Sequence, residues 1–224
     1  MADLNLDEYL QDLIREVCTD LSRVYQSERQ SSEYGLIFPR KRNGSVRVSE
    51  QEAKLLFVQH LTIDKHFLFS VETPTVETYR QKGKTSMSAR VDLTLFRSDR
   101  KPVAHIELKA HNCTVEAVRK DLEKLLREKT PGIWFHTLHR ANRRTIQTLS
   151  RKFASAFSLL PEHVRTNNQS YLIAFFTLHN AVLIWQWLRF SGDPDRNCAA
   201  VTAMFGEGFQ SPPWISESFG AQTD

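Results

Sequence analysis

The sequence predicts an α/β fold, a central mixed β-sheet flanked by helices, and three observations carry that prediction. Residues 91–95 and 104–109 alternate apolar and polar side chains on either side of a short polar turn, the period-2 signature of paired strands. Three continuous apolar runs, Ile133 to Leu138, Tyr171 to Leu178 and Ala181 to Leu188, are bounded by turn residues and read as buried strands. Between them lie stretches whose apolar residues recur every three or four positions, as helices packed on a sheet require.

In chain order, Leu6, Leu10, Leu13, Ile14, Val17, Leu21 and Val24 mark an N-terminal helix over about 5–26. A polar stretch follows, holding the basic turn Pro39-Arg40-Lys41-Arg42-Asn43-Gly44, which suits contact with a phosphate backbone and equally a solvated loop. Ser49 opens a helix that buries Ala53, Leu56, Phe57 and Leu61, and His66 to Val71 reads as a strand. Residues 72–88 read as a polar connection. With Arg90 just beyond it, this connection places Arg80, Lys82 and Lys84 where they would grip nucleic acid, or simply keep the surface soluble. After the hairpin, Asn112 or Thr114 caps a helix to about Glu128 that buries Val115, Val118, Leu122 and Leu125, with Lys120 and Lys124 on its polar side as further nucleic-acid contacts. Pro131-Gly132 ends it, and the strand from Ile133 should be central and parallel. A helix over about 145–160 precedes a hairpin across His179-Asn180 that is expected to extend the core at its C-terminal end, and 191–224 reads as an irregular extension. The chain is expected to be one domain over 1–224, with its core at about 46–190.

Composition narrows the class. The 224 residues are 41% hydrophobic and 25% charged, enough for a substantial core. Cys18, Cys113 and Cys198 are odd in number and far apart, which predicts free thiols in a reducing compartment. The acidic start MADLNLDEYL is no signal peptide and no apolar run is long enough to span a membrane, so a cytoplasmic location is expected. A net charge of +4, from 30 basic and 26 acidic residues, leans toward a polyanionic partner without requiring one. Walker, dinucleotide-binding, nucleophile-elbow and H-E-x-x-H motifs are absent. His136 and His139 are the best alternative metal pair, but His136 falls on a strand expected to be buried.

The chemistry concentrates in Ala89 to Ala110. A turn centred between Asp99 and Arg100 places Asp92 across from Glu107, with Lys109 on the same face. Facing carboxylates destabilise a sheet, so the pair calls for a cation, and Mg²⁺ with its preference for oxygen ligands is the simplest. Lys109 would then orient or deprotonate an attacking water and offset charge on a phosphorane. The competing reading is a surface hairpin with an ordinary Glu107–Lys109 salt bridge.

Asp92, then Glu107-Leu108-Lys109 fifteen residues on, set between helices and strands in the order helix, strand, strand, strand, helix, strand, resembles the PD-(D/E)XK nuclease superfamily. The likeness covers Val46 to Leu138, with Val91 where the family has Pro. It implies a restriction-endonuclease-like core and a metal-dependent DNA endonuclease using Mg²⁺, with Mn²⁺ able to substitute. The setting implied is defence, restriction or repair, as a homodimer or within a larger defence complex. Asp92, Glu107, the Leu108 carbonyl and a helix glutamate would hold metal, and Lys109 would position water. An RNA-directed nuclease shares this site, and a non-catalytic nucleic-acid-binding or scaffolding protein shares the fold. For the glutamate the resemblance leaves Glu50 and Glu52 open. Glu50 lies seven and eleven residues before Phe57 and Leu61, along the buried stripe, whereas Glu52 turns away from it and has the S-x-x-E spacing of a capping box with Ser49. Glu50 is therefore the expected ligand.

Overall fold

The computed structural model describes residues 5–27, 35–79, 87–206 and 214–219. Among these, seven strands form one open sheet in chain order: β1 (Leu68–Tyr79), β2 (Met87–Phe96), β3 (Pro102–Ala110), β4 (Gly132–Leu138), β5 (Ser170–Thr177), β6 (Val182–Arg189) and β7 (Ile215–Ser218). β3, β4 and β5 run parallel and the other neighbours antiparallel. The described helices are α1 (Leu6–Ser27), α2 (Glu50–Asp64), α3 (Val115–Arg127), α4 (Arg143–Ser158), α5 (Glu162–Arg165) and α6 (Pro194–Gly206). None is long and apolar enough to cross a membrane.

Strand alternation divides the core into two layers. Leu93, Leu95, Ile106, Leu108, Ile133, Phe135, Leu172 and Ala174 pack with the apolar stripes of α1 and α2. Their neighbours Trp134, Tyr171, Ile173 and Phe175 face the other way, onto α3, α4 and α6. β4 is buried along its whole length, as a central parallel strand must be. Its entry depends on Gly132. A Cβ there would lie 2.7 Å from the His105 carbonyl oxygen, while His105 N–H donates to the Pro131 carbonyl at 2.9 Å. The helix starts follow local chemistry: Asn5, Ser49, Thr114 and Asn142 each accept a bond from a first-turn N–H. Thr114, rather than Asn112, caps α3, and Asn112 instead accepts from the Lys152 ammonium.

Three expectations are corrected. Residues 72–79 are not a connection: β1 continues through them to Tyr79. Pro74 is tolerated because β1 is an edge strand, and Thr75 Oγ1 accepts from Ala89 N–H at 2.9 Å where the ladder slips. The segment after 191 is not irregular throughout. α6 buries Val201, Met204 and Phe205, with Phe205 stacked on Phe153 of α4 at 4.3 Å, and β7 extends the sheet beyond β6. The hairpin β5–β6 is likewise no appendage, since β5 lies parallel against β4 inside the sheet. β7 also fastens the chain ends together, as Glu217 pairs with Arg15 of α1 at 2.9 Å and accepts from Trp185 Nε1 at 2.8 Å.

Gly132→Ala should therefore destabilise the fold by about 1–3 kcal/mol through backbone overpacking, with the urea m-value unchanged. Equilibrium urea unfolding checks this.

Candidate active site

The site forms where β2 and β3 part. The pairs Leu93↔Ile106, Thr94↔His105 and Leu95↔Ala104 match the register expected of the hairpin, which slips only at Phe96↔Pro102 beside the turn. One step beyond Leu93 this register sets Asp92 beside Glu107, and Asp92 Oδ2 accepts from Leu108 N–H at 2.9 Å, a side chain taking a backbone donor. Leu93, Ile106 and Leu108 face α1 and α2, so Asp92, Glu107 and Lys109 share the face toward α3. On the other flank, Val71↔Leu93 and Thr73↔Val91 set Glu72 beside Asp92. Three carboxylates, Glu72, Asp92 and Glu107, thus stand in a row across three strands. Glu72 has φ 54, a left-handed conformation that a non-glycine rarely adopts inside a strand.

Such a row repels itself, and lysines from three elements answer it. Lys54 of α2 sits between Asp92, at 2.8 Å, and Glu72. Lys124 of α3 pairs with Glu107 at 2.7 Å and Asp121 at 2.8 Å, and donates to the Arg90 carbonyl. Lys109 pairs with Asp121 at 2.8 Å and Glu50 at 3.5 Å. Burial would pull each ammonium's pKa down, but the paired carboxylates together outweigh it and hold all three above the ordinary lysine value. Glu107 goes the other way. It is 1% exposed, and burial pushes its carboxyl well above the usual range; Lys124 opposes this while Asp121 and Asp92 add to it. Beneath the network, Thr94 bonds the buried His105 ring at 2.9 Å, and burial lowers that ring to about 4.

Of the site residues expected from sequence, Glu50, Asp92, Glu107 and Lys109 all enter this network. Glu52 does form the capping box, accepting from Ser49 N–H at 3.1 Å. It is not turned to solvent, however. Curling back on Ser49 leaves it buried, while Glu50 stays partly exposed. Lys124 is not a free surface cation, because its ammonium is enclosed by Glu107, Asp121 and the Arg90 carbonyl. Arg90 and Lys120 are exposed, and Arg80, Lys82 and Lys84 lie outside the described residues. Sequence reasoning missed Lys54, Glu72 and Asp121. For Asp121 a signal existed: Val118, Asp121, Leu122 and Leu125 share one helix face, so an acid stands in the apolar stripe and must find a cation there. Lys54 carries the same signal, flanked by the buried Ala53, Leu56 and Phe57.

Among the described residues, no three of His, Cys, Asp or Glu converge in a group that could hold a metal ion. The donor chemistry nevertheless fits a hard divalent cation. Five carboxyl groups (Glu50, Glu72, Asp92, Glu107, Asp121) meet three ammonium groups (Lys54, Lys109, Lys124), so acidic groups outnumber cations even where Glu107 holds its proton. Glu107 Oε2 is buried and accepts no hydrogen bond from the described residues. No known family model matches this sequence, and no curated protein shows significant similarity to it.

Lys54→Met should cost about 3 kcal/mol, because it strands Asp92 in a partly buried position, whereas Lys54→Arg should retain most of the stability. In urea unfolding, adding Asp92→Asn to Lys54→Met should recover part of the loss, since the stranded charge is gone.

Proposed function

We propose that this protein is a divalent-metal-dependent endonuclease that hydrolyses phosphodiester bonds in DNA, built on a restriction-endonuclease-like core. The observation carrying this reading is the meeting of Asp92, Glu107 and Lys109 at the β2–β3 fork with Glu50 at the start of α2. The element order α2, β1, β2, β3, α3, β4 supports it, since this is the order in which the nuclease pattern carries its residues. A cytoplasmic setting goes with the three free thiols.

Asp92, Glu107 and the Leu108 carbonyl, joined by Glu50, would hold Mg²⁺ or Mn²⁺, which supplies charge neutralisation at phosphate and a more acidic bound water. The chain's own groups have distinct tasks. Asp121 and Glu50 hold Lys109 protonated near neutral pH, so Lys109 serves as a fixed cation that orients water and a phosphate oxygen. Deprotonating the water is a poor task for an amine whose pKa is raised. Asp121 is a positioning residue that sets Lys109 against the scissile group, and Lys124 opposes the burial that raises the Glu107 carboxyl, favouring its charged form. RNA would meet the same groups. A non-catalytic nucleic-acid-binding protein is the second reading, and the observation favouring it is that Lys54, Lys109 and Lys124 already occupy the carboxylates.

Incubation with linear, supercoiled and single-stranded DNA and with RNA, in Mg²⁺, Mn²⁺ or EDTA, tests the proposal. DNA should be cut with either metal and left intact in EDTA. Lys109→Ala should lose roughly 10²–10³-fold in turnover while still binding Mn²⁺ by calorimetry. Asp92→Ala should lose both. Cleavage undiminished in EDTA would overturn the metal mechanism, and tight binding without cleavage under any condition would favour the second reading.

A further inference from the structure

The carboxyl ends of the parallel strands carry a second group of titratable side chains that the network above does not use. A histidine lies just past each strand: His111 directly after β3, His139 directly after β4, and His179 two residues beyond the end of β5. Backbone bonds continue the parallel ladder into them and fix their spacing. His111 N–H donates to Thr137 at 3.2 Å, Leu178 N–H to Leu138 at 2.9 Å, and His179 N–H to His139 at 3.0 Å. His111 holds a left-handed φ of 62 while its carbonyl accepts from the buried His136 ring. His139 is steadied from α1, where the Tyr25 hydroxyl bonds its Nε2 at 3.1 Å.

The fixed charges facing His139, on Lys41 and Arg140, are both positive. Besides burial, the groups acting on His139 are Arg140, His179, Lys41 and His111, and together they hold its pKa below the ordinary histidine value. Lys41 comes from the basic turn after Pro39, which a Lys41–Ser45 bond at 2.8 Å and Gly44 at φ 77 close into a tight loop. Lys41, His111, Arg140 and His179 are exposed. Toward the carboxylate site, Lys152 bonds Asn112 at 2.6 Å and the Cys113 carbonyl at 2.9 Å, and both Lys152 and Lys109 act on Cys113 and on His136. Lysine, arginine and imidazole groups therefore run from Lys109 through Lys152 and His111 to His139, Arg140, His179 and Lys41, with Lys109, Lys152, Arg140 and Lys41 as the fixed cations.

We infer that this ridge is a track for the sugar-phosphate backbone of nucleic acid, leading across the carboxyl ends of β3, β4 and β5 to Lys109. Ligands of α/β sheets settle at the carboxyl ends of the strands. Fixed lysine and arginine charges spaced along a surface bind phosphates by counterion release, and imidazole and backbone N–H groups add hydrogen bonds without reading sequence. The inference rests on the nuclease reading and adds to it the surface that presents the substrate.

Fluorescence anisotropy with a labelled DNA duplex in EDTA, across a salt series, tests it. The double variant Lys41→Ala/Arg140→Ala should bind more weakly than wild type, with the slope of log K against log salt reduced by roughly 2 and the melting temperature unchanged. The control Lys101→Ala/Arg196→Ala, which removes two exposed cations at the hairpin turn and on α6, should bind as wild type does. Wild-type binding with an unchanged slope in the first variant, or equal losses in both variants, would overturn the track and leave the nuclease reading standing. A wild type that binds no nucleic acid would overturn both.

Discussion

Charge buried at the β2–β3 fork constrains the rest of this structure. Glu107 lies almost wholly out of water, in a sheet that also sets Asp92 and Glu72 in its row, and isolated carboxylates in such a place are costly. The remedy comes from both layers. Lys54 reaches in from α2, Lys124 from α3, and Lys109 from the strand itself, so the two helices that flank the sheet are fastened to it by ions as well as by apolar packing. Asp121 then joins Lys109 to Lys124 and closes the network. The expected repulsion between Asp92 and Glu107 is real in geometry but is offset by ammonium groups already in the chain.

The elements that local chemistry decides were legible in the sequence. Alternation and the Ser98-to-Lys101 turn gave the register of β2 against β3, since a one-residue slip would send Leu93, Leu95 and Ile106 to the other face. The Ser49–Glu52 capping box and the buried parallel strand from Gly132 were equally readable. What stayed hidden depends on distant partners. Residues 72–79 looked polar because an edge strand needs no continuous apolar face and admits Pro74. α6 was masked because its apolar stripe is short, Val201, Met204 and Phe205, and the partner of Phe205, Phe153, lies far back in the chain. Lys54 and Asp121 stand among apolar residues, and only the fold supplies the opposite charge that makes those places tolerable.

The same fork places the candidate chemistry at the boundary between two kinds of surface. On one side lies the carboxylate row with its excess of negative charge, suited to a divalent cation. On the other lie the cationic groups beyond β3, β4 and β5, suited to phosphate. Lys109 belongs to both, paired with Asp121 and Glu50 yet acting on the groups that begin the basic ridge. A metal-assisted phosphodiesterase needs that adjacency, because its cation and its substrate must meet at one atom.

The excess negative charge at the fork is tested most directly by metal-dependent stability. Thermal unfolding of wild type and Glu107→Gln would be followed in EDTA and in rising Mn²⁺. A cation bound only by the folded state adds RT ln(1 + [L]/Kd), about 2.7 kcal/mol at one hundred times Kd. The wild-type melting temperature should climb steadily with the logarithm of Mn²⁺ concentration, and that of Glu107→Gln should stay nearly flat. A wild-type melting temperature unmoved by millimolar Mn²⁺, or an equal rise in both proteins, would contradict a cation site at Glu107.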